Sequence, residues 1–252
     1  MPDCSSSPMD PVRPVRPLII ATMLRPEGGT GVHTHVRQLR RYGSRYGTAP
    51  LLVTPFEWGG PLRLAVFGFR RVLEPVSSSL SVVWYRYWHE IFLRNALRKV
   101  LARTDDCVIY AQDPPAARAA LRARRGPSQQ VVLAVHFRIS QSDEWADKEA
   151  ITRGGVVYRS IRRVERQVIG QVDRLVYVSK WAYQALVEWL PEADAVPSAV
   201  IGNGWRQMLQ RDRSGNRLVQ PKQPCGSKTR GSCGSTMRPQ YLQSRYMDVF
   251  LV

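Results

Sequence analysis

Cysteine is scarce in this 252-residue chain: Cys4, Cys107, Cys225 and Cys233 stand far apart and form no C-x-x-C pair. That spacing excludes a zinc ribbon or a disulfide scaffold and fits a reducing compartment, so a cytoplasmic protein is expected. No apolar run approaches the roughly 18–20 residues that a membrane-spanning helix needs. Residues 1–17 hold five prolines and no apolar stretch, which is the pattern of a disordered leader rather than a secretory signal. G-x-S-x-G, H-E-x-x-H and the P-loop are all missing. Their absence removes the nucleophile elbow, the zinc metalloprotease helix and the commonest nucleotide-triphosphate cradle.

What is plentiful is arginine. The chain carries 32 arginines, five lysines and a net charge of +17, on a composition that is 44% hydrophobic and able to build a core. So skewed a ratio fits coding bias better than a dedicated binding surface. No zinc finger, arginine block or RNA-binding aromatic signature accompanies the charge, and no nucleic-acid partner is expected. A positive balance of this size still suits anionic lipid or phosphorylated ligands.

Short apolar runs alternate with longer amphipathic ones. Strands are predicted at 18–23, 51–54, 107–111, 131–136, 175–178 and 199–201, and helices at 32–42, 80–101, 115–124, 158–170 and 180–190. Such alternation predicts an α/β, Rossmann-like, doubly wound parallel sheet. Ligands then bind beyond the carboxyl ends of the strands, and the residues just after each strand are the ones to read. The helix at 80–101 crowds Trp84, Tyr85, Tyr87, Trp88, Ile91 and Phe92 into its first half. It reads as a core helix or as one lying against anionic lipid.

Four post-strand positions carry candidate chemistry. Gly28-Gly29-Thr30-Gly31 follows the first strand and opens a helix that starts with His33 and His35. Glycines let the backbone approach a ligand, and the helix N-terminus favours an anion; a tight turn with no ligand is the competing reading. The two histidines are two residues apart, a poor metal pair on a helix, and one of them is expected to face the cleft. Asp113, before two prolines, reads as a helix cap and turn. His136, at a strand end, can hydrogen-bond a sugar hydroxyl or a phosphate. Ser179 caps the next helix, whose N-terminus could also hold an anion. The nicotinamide fingerprint is incomplete: Thr34 stands at the third glycine position, and the second strand ends without a carboxylate. An NAD(P)-binding protein is therefore an alternative of lower rank.

After Gly204 the pattern stops. Residues 205–252 contain no Ala, Glu, Ile or His, whereas residues 1–204 contain nineteen Ala. This break predicts a disordered tail or the product of a frame change, and a chain truncated after its first domain.

Taken in order, the motifs resemble a known family. Gly28-Gly29-Thr30-Gly31-Val32-His33-Thr34-His35, Tyr110-Ala111-Gln112-Asp113-Pro114, Val135-His136, Glu165, Val172-Asp173-Arg174-Leu175 and Val200-Ile201-Gly202-Asn203-Gly204 are similar to segments of family 4 retaining glycosyltransferases of the GT-B fold. The resemblance spans residues 18–204 and implies one half of a GT-B architecture, the acceptor-side domain of a hexosyltransferase-type enzyme. It implies a nucleotide-sugar donor, a glycan or lipid-linked acceptor, and neither a cofactor nor an active-site metal. Gly28, Gly29 and Gly31 would approach the donor diphosphate, with His35 beside them. His136 would contact the transferred sugar as the catalytic-site histidine, Asp113 would lie on the acceptor side, and Ser179 at the cleft rim. The Glu-x7-Glu motif of the family's donor half has no counterpart after Gly204, and Glu27 and Glu57 are no substitute, so the chain is expected to be inactive alone. A lipid- or phosphate-binding module, peripheral at the inner face of an anionic membrane, is the main alternative.

Overall fold

The structure is a computed structural model and describes residues 16–45, 49–136 and 140–201. Among these, six strands form one parallel sheet: β1 (Leu18–Ala21), β2 (Leu51–Val53), β3 (Cys107–Ala111), β4 (Gln129–Val135), β5 (Arg174–Tyr177) and β6 (Ser198–Val200). Their spatial order is β2-β1-β3-β4-β5-β6, and every neighbouring pair is parallel. Each strand lies where an apolar run predicts it. β3 is buried along its whole length and β4 at every residue except Gln130, as unbroken apolar stretches require when both sheet faces are covered.

Seven α-helices connect the described strands: α1 (Gly31–Arg45), α2 (Gly60–Val76), α3 (Ser78–Leu101), α4 (Pro114–Ala123), α5 (Gln141–Asp147), α6 (Val156–Ile169) and α7 (Lys180–Trp189). α1 sets Val36 and Leu39 on one face of the sheet, over Ile20, Val108, Tyr110 and Val132. α3, α4, α6 and α7 cover the other face, where Leu93, Leu97, Ile169 and Leu186 meet Ile109, Leu133 and Leu175. The fold is therefore Rossmann-like and consistent with one half of a GT-B enzyme. Ala116, Ala117, Ala119 and Ala120 of α4 are all fully buried, and their small side chains let that helix sit close against β3 and α3.

Two helices escape the periodicity. α2 contains Pro61, Gly68 and Pro75, which read as breakers. Pro61 falls in the first turn, where a missing N–H costs nothing, and Pro75 falls in the last. α5 has only seven residues, too few to show a period. α2 also explains the aromatics of α3. Trp84 donates its indole N–H to the Val66 carbonyl at 2.9 Å and packs on Phe69, while Trp88 and Phe92 stack together and Phe92 meets Phe67. Tyr87 stays exposed. No helix among the described residues is long and apolar enough to cross a membrane.

At the start of the described chain, the Pro17 carbonyl accepts the Val108 N–H at 3.0 Å and Arg16 pairs with Asp106 at 3.1 Å. The expectations for residues 1–15 and 205–252 lie outside the described residues, as do Phe137, Arg138 and Gly202-Asn203-Gly204.

Candidate functional site

In this strand order the chain reverses direction across the sheet between β1 and β3, and open parallel sheets leave a crevice at that point. The β1–α1 and β3–α4 loops meet there. Asp113 joins them: one carboxylate oxygen accepts the Ala116 N–H at 2.8 Å and caps α4, and the other accepts the Met23 N–H at 3.2 Å across the crevice. Asp113 thus serves as the helix cap that its sequence context predicts, and as a strut between two loops. Burial pushes its carboxyl up to about 6, against the opposing pull of its two backbone N–H donors and of Arg86.

His35 and His136 close the crevice from two sides. Their rings meet edge to face with centroids 4.7 Å apart. His136 donates from Nε2 to the Gln112 side-chain oxygen at 2.9 Å, which leaves the lone pair on Nδ1. His35 shares a 3.2 Å hydrogen bond with the Tyr110 hydroxyl. Burial lowers His136 to about 3, with a further push from His35, and burial lowers His35 to about 4. Both are neutral imidazoles at neutral pH, suited to exchanging hydrogen bonds with hydroxyl groups rather than to pairing with charge. The Gln112 amide nitrogen is buried with no partner among the described residues, so a donor is left over at the crevice floor.

Gln112, Asp113 and His136 line a recess of about 250 Å³ together with Arg86, Gln141, Glu144 and Lys148. Arg86 reaches it from α3 and donates to the Gln141 side chain at 2.6 Å, with Glu165 and Asp113 supplying most of the negative field around it. Glu165, fully buried on α6, accepts the Ser140 hydroxyl and the Gln141 N–H, the latter at 2.9 Å. It thereby fixes the backbone at the start of α5. Burial raises its carboxyl, and Ser140 and Arg86 resist that rise.

The glycine loop has its own lock. The Thr30 hydroxyl donates to His33 Nδ1 at 2.6 Å, and His33 Nε2 donates to the Arg25 carbonyl at 3.0 Å. A Cβ on Gly28 would stand 2.4 Å from the His33 ring, so only glycine fits. Around Gly29 and Gly31 a Cβ would meet open space. Of the two histidines, His35 packs against His136 and Tyr110, and His33 staples the loop. Ser179 caps α7 by accepting the Ala182 N–H at 3.0 Å and lines neither the recess nor the groove beside it. The structure therefore gathers His35, Asp113 and His136, places Gly28, Gly29 and Gly31 on an exposed loop at the start of α1, and leaves Ser179 apart. Among the described residues, no three His, Cys, Asp or Glu side chains stand close enough to share a metal ion.

A family model described as Glycosyltransferase Family 4 matches residues 29–205. The chain belongs to that family. The match takes in His35, Gln112, Asp113 and His136, while β1 and Met23 precede it. Among curated proteins, no relative matches the chain.

Three residues of this family 4 site are absent from the sequence-based selection. Tyr110 reads as a core strand residue and Arg86 is one arginine among 32, so only their contacts mark them. Gln112 had a signal, since it sits in the post-strand position beside Asp113.

Proposed function

We propose that this chain supplies the acceptor-side half of a retaining glycosyltransferase, moving a sugar from a nucleotide-sugar donor to an acceptor hydroxyl. The single observation that carries this is the meeting of His35, His136, Gln112 and Asp113 at the β1–β3 crevice, beside the glycine loop, in a family 4 chain. Neutral imidazoles and an unpartnered amide donor suit polyhydroxyl ligands. The open backbone at Gly29 and Gly31, with the first turn of α1 behind it, suits a diphosphate. Departure of a nucleotide diphosphate needs positive potential at the developing charge, and no cofactor or metal enters this proposal. His136 contacts the transferred sugar, Asp113 borders the acceptor, and Ser179 belongs at the rim.

Residues 205–252 contain no glutamate, so this reading assigns no donor-gripping pair to them. The test is transfer from radiolabelled nucleotide-sugars, measured for the chain alone and after adding the donor-side domain of another family 4 enzyme. Transfer that appears only in the mixture and drops in His136→Ala supports the proposal. Robust turnover by the chain alone refutes the half-enzyme assignment.

A second reading, peripheral contact with an anionic membrane at the cytoplasmic side, is favoured by α2. Its outward face shows Leu62, Phe69, Val72 and Val76, with Val72 60% and Val76 78% exposed. A surface helix ordinarily turns charge outward. Anionic lipid is the occupant matched both to this apolar face and to the positive chain. Cosedimentation with phosphatidylglycerol vesicles that is lost in Val72→Glu/Val76→Glu supports it, and equal recovery with purely zwitterionic vesicles refutes it.

A further inference from the structure

Beside the crevice, a larger groove of about 920 Å³ runs between the β1–α1 loop and α2. Its walls hold four arginines, Arg25, Arg63, Arg70 and Arg71, against two glutamates, Glu27 and Glu74. None of the four arginines lies within ion-pair distance of a carboxylate among the described residues. Arg25 lies over the Phe56 ring at 5.4 Å, and Arg70 over the Tyr85 ring at 4.7 Å with its Nε donating to Ser81. Those aromatic faces position the two guanidiniums without neutralising them. Arg63, Leu64, Phe67, Arg70, Arg71 and Glu74 recur at helical spacing, so the charged side chains of α2 gather on the groove side while Leu62, Phe69, Val72 and Val76 lie on the other. Concave positive walls of this kind, with low-dielectric aromatic lining, concentrate anions.

We infer that this groove is a subsite for the phosphate group of a phosphorylated acceptor, held by Arg63, Arg70 and Arg71 of α2 with Arg25 opposite. The inference rests on the transferase assignment and adds the chemical class of acceptor to it. Two features separate the subsite from the donor diphosphate. Gly28, Gly29 and Gly31 do not line the groove, whose wall on that side is Arg25, Pro26, Glu27 and His33. The groove and the crevice recess also share Met23, Leu24 and Tyr85, so one ligand can place its phosphate on α2 and a hydroxyl near Asp113. Guanidinium forks match phosphate oxygens in pairs, and an excess of two positive charges suits a phosphate monoester dianion.

The test is calorimetric titration of the full chain, without donor, using glycerol 3-phosphate, glycerol and vesicles containing phosphatidic acid. Binding of glycerol 3-phosphate or of the phosphatidic acid vesicles, with none of glycerol, is expected. Each lost arginine should weaken it about tenfold, as hydrogen bonds to charged groups do. Competition by glycerol 3-phosphate against the vesicles identifies a lipid headgroup as the source, and binding of the soluble phosphate alone identifies a free phosphorylated acceptor. Arg63→Gln/Arg71→Gln tests α2. Arg25→Gln tests the opposite wall and keeps the question open to measurement if the helix variant unfolds. Equal binding of glycerol and glycerol 3-phosphate, or unchanged binding in both variants, overturns the inference. Transfer to uncharged acceptors that ignores these arginines overturns it while leaving the transferase assignment intact. Phosphate binding without any transfer in the reconstituted pair removes the assignment and leaves the anion subsite standing.

Discussion

The rings of His35 and His136 meet edge to face, 4.7 Å between centroids, although one sits in the first turns of α1 and the other just past β4. Tyr110 and Gln112, from the strand between β1 and β4 and the residue after it, hold one ring each. Neither ring can take a proton without burying a charge against the other.

That arrangement sets an acid limit on stability. Unfolded histidine titrates near 6.5, whereas folded His35 and His136 resist protonation down to about 4 and about 3. Their contribution is complete above 6.5 and is lost as pH falls below it, because the unfolded chain takes up protons that the folded site refuses. His89, also lowered to about 4 by burial, adds to the loss. Asp113, raised from 3.8 to about 6, and Glu165, also raised, act in the opposite sense and soften it. Urea melts from pH 7.5 to 4 should show stability declining below 6.5, with a shallower decline in His136→Gln. Identical pH slopes for the two proteins would contradict the buried-pair account.

Asp113→Ala removes both a cap and a loop-to-loop strut, whereas Ser179→Ala removes a cap alone. A lost cap typically costs about 1 kcal/mol. Ser179→Ala should cost that much, and Asp113→Ala distinctly more, because the Met23 N–H also loses its acceptor. Chemical denaturation of the two variants side by side measures the difference. Equal losses would show that the Met23 bond contributes nothing.

Gly28 and Gly29 should respond oppositely to alanine. At Gly28 the new Cβ collides with the His33 ring, and overpacking of this kind costs about 1–3 kcal/mol. At Gly29 the Cβ meets nothing within 4 Å, so stability should change little. Thermal melts of both variants decide it. If Gly29→Ala nonetheless abolishes nucleotide-sugar transfer in the reconstituted pair, the loop serves its ligand rather than the fold.

Arg86 and Glu165 should behave as a coupled pair. Their charges act on each other through the field in the recess, without an ion pair, and each side chain also holds Gln141. Arg86→Met and Glu165→Gln should each destabilise by leaving a buried partner at Gln141 unmatched, and the double variant by less than their sum. Glu165→Gln should also loosen the Ser140–Gln141 backbone, seen as faster hydrogen exchange at Gln141. Strict additivity would show that the two side chains do not act on each other.

How far the sequence reaches is clearest at particular residues. The strands were legible because apolar runs such as Val131-Val132-Leu133-Ala134-Val135 must be buried on both sides. Asp113 and Ser179 were legible as caps because a short polar side chain before a helix has few other roles. α2 was not legible, since Pro61, Gly68 and Pro75 read as breakers, and many of its apolar residues face outward. Its partner surface, the aromatic half of α3, consequently read as equally suited to a core or to lipid.

By itself the sequence determined the class of fold, the count and order of the strands and the places where chemistry could sit, because burial and chain direction act on near neighbours. Only the tertiary structure decided which histidine packs against His136, that Gln112 and Arg86 line the same recess, and that four arginines converge on one groove. Those facts depend on residues as distant as Arg25 and Tyr85 meeting across loops, and no local pattern encodes a meeting of that kind.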